Sequence, residues 1–170
     1  MLLISIATIF VIQQKSRTLT KSVHPEKDKR TRTSGFIMER TTKRMKQYFQ
    51  RLLTEAHTGI TVDQWVILQQ LDQEDGRSQF DLAQATFKDA PTVTRIIDLL
   101  AQKGLVERVP DPQDRRRFRI CLTGQGREKI EAVLPLVISF RQSAWAGLTD
   151  EQIDQLVHTL NIIFDNLKEE

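Results

Sequence analysis

Asp89-Ala90-Pro91-Thr92-Val93-Thr94-Arg95-Ile96-Ile97-Asp98-Leu99-Leu100 decides the reading of this chain. Asp89 is a good N-cap, because a short carboxylate can accept the free N–H groups of a first helical turn. Pro91 falls in that turn, where a missing N–H costs little. Val93, Ile96, Ile97 and Leu100 recur at i, i+3, i+4 and i+7, which predicts a helix with one buried face, running to about Lys103 and stopping at Gly104. Thr92, Thr94, Arg95, Asp98 and Gln102 are left facing elsewhere. The helix therefore offers small polar residues and an arginine near its N-terminus.

Upstream, Gln79 to Thr86 predicts a short helix with Phe80, Leu82, Ala83 and Ala85 as packing surface. Phe87-Lys88-Asp89 joins the two helices tightly, as in a helix-turn-helix. Downstream, Leu105–Val109 and Phe118–Leu122 alternate like strands. Between them Pro110-Asp111-Pro112-Gln113-Asp114 favours a turn and Arg115-Arg116-Arg117 makes its end basic. The expectation is a β-hairpin with a basic tip.

The flanks are helical. Phe36 to about His57 carries Ile37, Met38, Met45, Phe49, Leu52 and Leu53 on roughly one face, ending at Gly59. Thr61 caps a helix from Val62 to Leu71, with Trp65, Leu68 and Leu71 on one side, and Asp75-Gly76 marks a turn. Thr123 starts a long helix to about Ala146, which Pro135 should kink. Thr149 and Gln152 form a capping box for a last helix, Asp150 to Leu167, whose stripe is Ile153, Leu156, Val157, Leu160, Ile163, Phe164 and Leu167.

The chain has 170 residues, 39% apolar and 28% charged, which suits one ordinary helix-rich domain with its own core. Its net charge of +3 conceals an asymmetry. Residues 1–51 hold 12 basic and 3 acidic side chains; the remainder is acidic. Whole-chain charge is therefore no argument for nucleic acid, and only the local placement of arginines is. One cysteine, Cys121, excludes an intrachain disulfide and fits a reducing compartment. It reads as a packed, structural residue. His24, His57 and His158 make no ligand-spaced pair, so no metal site and no cofactor is expected. No glycine-rich phosphate loop, nucleophile elbow or acid pair suggests an enzyme, and no catalytic residue is expected.

Residues 1–12 are almost wholly apolar, too short to span a bilayer and unlike a signal peptide. Basic residues mixed with Ser and Thr follow, and 1–35 reads as a disordered tail. Three readings stand open there: a start at Met38, a flexible arm adding phosphate contacts, or a weak membrane anchor. The expected organisation is a tail over 1–35, an N-terminal helix over 36–58, a winged helix-turn-helix over 59–123, and C-terminal helices over 124–170.

Read bottom-up, the recognition helix at about 90–103 enters a major groove and the wing at about 109–118 a minor groove. Thr92, Thr94 and Arg95 would meet base edges or phosphate, with Lys88, Arg115, Arg116 and Arg117 as further DNA contacts. Taken singly, a polar helix face or three adjacent arginines usually mean a solvated surface. Turn, polar-faced helix and basic hairpin in that order are far more specific. The rival is a winged-helix docking or non-specific nucleic-acid-binding module, and a docking face would be more apolar.

The motif at 89–100, with Lys103-Gly104-Leu105-Val106-Glu107-Arg108, Asp111-Pro112-Gln113-Asp114-Arg115-Arg116 and Ile120-Cys121-Leu122-Thr123-Gly124-Gln125-Gly126, closely resembles the multiple antibiotic resistance regulator (MarR) family. Residues 36–168 follow that family's layout; 1–35 have no counterpart in it. The resemblance implies a mainly α fold with a small β-hairpin wing, and a homodimer joined through the first and last two helices. It implies double-stranded DNA as partner, through a pseudo-palindromic operator, and a cytoplasmic protein without stable membrane association. Arg116 matches the wing arginine and Asp114 the acidic residue that braces the wing. The family usually represses transcription until a small-molecule or stress signal arrives. An effector crevice lined by Phe49, Trp65, Phe140 and Trp145 is the corresponding expectation, although aromatics at helical spacing are more often core. One branch of the family senses peroxide through a cysteine in its first helix, and this chain departs from that branch because Cys121 lies in a wing strand.

Overall fold

A computed structural model describes residues 25–114 and 117–167. In chain order its elements are α1 (Pro25–Glu55), α2 (Val62–Gln73), β1 (Arg77–Ser78), α3 (Gln79–Thr86), α4 (Ala90–Gln102), β2 (Val106–Pro110), β3 (Phe118–Leu122), α5 (Gly124–Ala144) and α6 (Asp150–Asp165). The fold is mainly α with a small antiparallel sheet, as expected from the pattern. Residues 1–24 lie outside the described residues, and with them the three readings of the apolar and basic front end. So do Arg115 and Arg116.

α1 begins at Pro25, ahead of the residue-36 boundary expected for a disordered tail. Proline suits a first helical turn. The apolar stripe could not announce this part, since residues 33–44 are all exposed and no core-facing pattern is required of them. Further along, Phe49 and Leu53 are buried. The helix closes at Glu55, two residues before the expected end, with His57 rather than a glycine taking the first left-handed position (φ 50°) and Gly59 following (φ 74°). The Thr58 N–H then donates to the Leu53 carbonyl at 3.1 Å.

The core is built where the helical periods said it should be. Ile67, Leu68 and Leu71 of α2, Leu82 of α3, and Val93, Ile97 and Leu100 of α4 pack with Ile120 of β3 and Val133 of α5. Each such aliphatic side chain contributes roughly 1.5–3 kcal/mol by leaving water. Thr61 and Gln64 cap α2 reciprocally, as do Ser78 and Asp81 for α3 and Thr149 and Gln152 for α6. α5 continues through Pro135, which cannot donate to the carbonyl one turn back.

The sheet has the order β1-β3-β2. β2 and β3 form the expected hairpin, in a register that sets Val106 against Leu122 and Pro110 against Phe118. β1 is an addition: Arg77 pairs Ile120 and Ser78 pairs Arg119, so the wing is joined to the residues leading into α3. Two residues are too few to show an alternating pattern. α6 contributes no buried residue. Leu156, Val157, Leu160, Ile163 and Phe164 are all exposed in the single chain.

Candidate nucleic-acid interface

The helix-turn-helix is α3, the turn 87–89 and α4. Asp89 caps α4 with both carboxylate oxygens. Oδ1 accepts the Thr92 N–H and Oδ2 the Thr92 hydroxyl, each at 2.8 Å. The Thr92 N–H, then its hydroxyl, hold the Asp89 carboxyl below the usual carboxylate range. Thr94 donates its hydroxyl to the Ala90 carbonyl at 2.9 Å. Both threonines thus spend their only hydroxyl proton inside the helix, and what remains outward is a methyl group and acceptor lone pairs. Arg95 is exposed, with no ion-pair partner among the described residues. Next on the helix, Asp98 accepts from Arg108 of β2 at 2.6 Å, which ties the recognition helix to the wing.

In the wing, the Asp111 N–H donates to the Arg117 carbonyl and the Arg117 N–H to the Asp114 carbonyl, both at 2.9 Å. Arg117 Nε stands 3.4 Å from Asp114 Oδ2, and its side chain is largely exposed. Asp114 therefore engages the wing through its carbonyl and its carboxylate. A second brace was not assigned from the sequence. Arg119 Nε reaches Asp111 Oδ2 at 2.8 Å, and the Gln113 N–H donates to Oδ1 at 2.8 Å. The Arg119 guanidinium, then that N–H, keep the Asp111 carboxyl low. Its signal was hidden because the pairing crosses the hairpin mouth and depends on the strand register.

Lys88 has a different place from the one its charge suggested. Its Nζ lies 2.7 Å from Asp63 Oδ1, and Lys46 Nζ lies 3.0 Å from the same atom. Burial works to raise the Asp63 carboxyl, but hydrogen bonds and charge from Lys88 and Lys46 outweigh it and the group is held low. Lys88 is half-buried and ties the turn to α2 rather than standing ready for a phosphate.

Of the four aromatics proposed for an effector crevice, the structure brings three together. Phe49 stands edge-on to Trp65 at 6.4 Å between centroids and tilted to Phe140 at 5.1 Å. Phe49 and Trp65 are buried core residues, while Phe140 is half-buried. Tyr48 joins from the outside, 6.2 Å from Phe140, with the Arg51 guanidinium over its ring. Trp145, at the C-cap of α5, makes no ring contact with the others among the described residues. Cys121 is half-buried, and burial, then the charges of Asp75 and Glu107, push its thiol up, so it is protonated at neutral pH. Among the described residues no helix is long and apolar enough to cross a membrane.

A three-helix core, a polar-faced second helix and a braced hairpin beside it define a winged helix-turn-helix DNA-binding regulator. Residues 58–117 match the model of the MarR family. An uncharacterised HTH-type transcriptional regulator of Bacillus subtilis, YdgJ, is 34% identical over 113 residues, 66% of this chain and 69% of that protein. The HTH-type transcriptional repressor IacR of Pseudomonas putida is 27% identical over 133 residues, 78% of each chain. Among solved structures, Bordetella bronchiseptica BpsR, whose DNA binding is regulated by 6-hydroxynicotinic acid, superimposes with a TM-score of 0.70 at 28% identity, covering 77% of this chain and 98% of its own. The chain belongs to the MarR family and is a DNA-binding transcriptional regulator.

Proposed function

We propose that the protein works as a homodimeric repressor, with α4 in the major groove and the β2–β3 wing in the minor groove, released from its operator by a small aromatic molecule. The observation that carries the DNA geometry is the exposed Arg95, without an ion-pair partner among the described residues, on the outer face of a helix whose N-terminus is fixed by Asp89. Arg95 bonds a guanine edge or a phosphate. Thr92 and Thr94, their protons spent internally, offer methyls to thymine or accept from adenine and cytosine amines. Arg117, with Arg115 and Arg116 beside it in sequence, supplies the wing's positive charge to the minor groove.

The dimer reading is supported by α6, which exposes an apolar stripe and buries nothing within one chain. A second copy of the same stripe covers it in a two-fold interface. IacR's name supports repression, and BpsR supports a small aromatic effector. For this chain the reachable rings are Tyr48 and Phe140, with the Arg51 guanidinium beside Tyr48 and paired to Glu55 at 3.8 Å, rather than the buried Phe49 and Trp65.

The test is fluorescence anisotropy of the full chain on the duplex upstream of its own gene, against a scrambled duplex, with salt varied. Tight binding to the first, weak binding to the second and a steep salt slope are expected. Equal weak binding to both duplexes would remove the sequence-specific reading. Absence of binding at low salt would favour protein docking.

A further inference from the structure

The three residues of the helix-turn-helix turn each tie it to a different element. Asp89 caps α4, Lys88 reaches Asp63 of α2, and Phe87 reaches Phe164 of α6. Phe87 is the unusual one. It takes the left-handed C-cap of α3 at φ 52°, ψ 38°, a place that favours glycine or asparagine. Its ring is 80% exposed and adds almost nothing to the core. It does meet the Phe164 ring edge-on, with centroids 5.5 Å apart and an interplanar angle of 82°. A bulky, largely exposed residue at a strained position, whose one ring contact among the described residues is with Phe164, points to that contact as its role.

We propose that Phe87 and Phe164 form an aromatic clasp that makes the set of the recognition helix depend on the state of the last helix, so that dimerisation and DNA binding are coupled. The clasp rests on the dimeric, DNA-binding reading given above. Phe164 follows directly on Ile163 and lies one turn from Leu160, both on the exposed stripe. A second copy seated on that stripe fixes α6, hence Phe164, hence the backbone of residue 87 and the first turn of α4, which begins three residues later at Ala90. Coupling of this kind is reciprocal: operator binding tightens the dimer by the same factor. Phe87 and Phe164 are positioning residues and touch no DNA.

The experiment uses the full chain and four variants: Phe87→Gly, Phe164→Ala, the double variant, and Phe164→Tyr. Phe87→Gly suits the left-handed turn and keeps the fold. The probe is a duplex enriched from a random pool by the wild-type protein. Each single variant is expected to weaken binding about fivefold to tenfold, within the usual span of coupling factors. The double should be no weaker than the worse single, and Phe164→Tyr should bind like wild type. The salt slope should not change, since no phosphate contact is lost. Amide hydrogen exchange over residues 87–95 should quicken in Phe164→Ala without DNA present. Additive losses, or Phe87→Gly binding as tightly as wild type, overturn the clasp. So does Phe164→Ala acting only through dissociation of the dimer by sedimentation, with exchange at 87–95 unchanged. A wild-type protein that enriches no sequence instead overturns the regulator reading, and the clasp with it.

Discussion

Gly124 and Gly126 stand two residues apart in the first turn of α5, and replacing each by alanine should have unlike effects on stability. A Cβ on Gly126 would collide with the Leu105 carbonyl oxygen and come 3.1 Å from its carbon and 3.2 Å from Leu122 Cδ2. Ordinary contact begins at 3.4 Å, so the helix start and the entry to β2 must move apart. Both sides are backbone. Neither side is free to yield, because the Leu105 carbonyl also accepts the Thr123 N–H at 3.2 Å and the Gly126 N–H is held by the Thr123 hydroxyl at 3.0 Å. Overpacking of this kind costs about 1–3 kcal/mol, and loss of the cap adds about 1. Alanine returns up to about 1 kcal/mol of helix preference. The expected net loss is about 2–3 kcal/mol, or roughly 5–10 °C in Tm for a domain of this size. Gly124 has nothing within 4 Å of its Cβ position, so Gly124→Ala should be neutral or stabilising by up to about 1 kcal/mol. Thermal unfolding followed by circular dichroism, at one protomer concentration, measures both. A Gly126→Ala protein melting within a degree of wild type would refute the close approach of α5 and β2.

Arg95→Ala should weaken specific DNA binding about tenfold or more without altering the melting temperature, and anisotropy titrations at several salt concentrations check it; an unchanged affinity would remove Arg95 from the interface. Leu160→Glu should turn the proposed dimer into a folded monomer in analytical ultracentrifugation, because a carboxylate is then placed in the centre of the α6 stripe; a dimer that survives would place the interface elsewhere. The Asp63 carboxyl is held below its ordinary value of 3.8, so its ion pairs stabilise the fold above that value and are lost as pH falls through the lower folded one. Asp63→Asn should therefore show a shallower acid limb in denaturation between about pH 4 and 2, and an identical limb would show that Lys88 and Lys46 do not hold this carboxylate.

How far the chain could be read along its length depended on which forces are local. Caps are local: Asp89, Thr61, Thr123 and the Thr149–Gln152 box act within one turn, and each does so in the structure. Helical faces are nearly so, and Val93, Ile97 and Leu100 are buried as their spacing required. The beginning of α1 was illegible because a solvated helix shows no stripe. β1 was illegible because two residues carry no alternation. The exposure of Arg95 was legible from its place in the helical period. The ion pair of Lys88 was not, since its partner Asp63 lies 25 positions away and only folding brings a carboxylate to it.

The sequence by itself determined a winged helix-turn-helix, the starts of α2 to α6, the buried face of the recognition helix and the basic wing, because periodicity, capping and turn chemistry act over a few residues. Only the tertiary structure decided which charges are committed internally and which face outward. It paired Asp63 with Lys88, Asp98 with Arg108 and Asp111 with Arg119, and it set Phe87 against Phe164. Those contacts join residues distant in the chain, and their existence depends on strand register and helix packing, which no short stretch of sequence encodes.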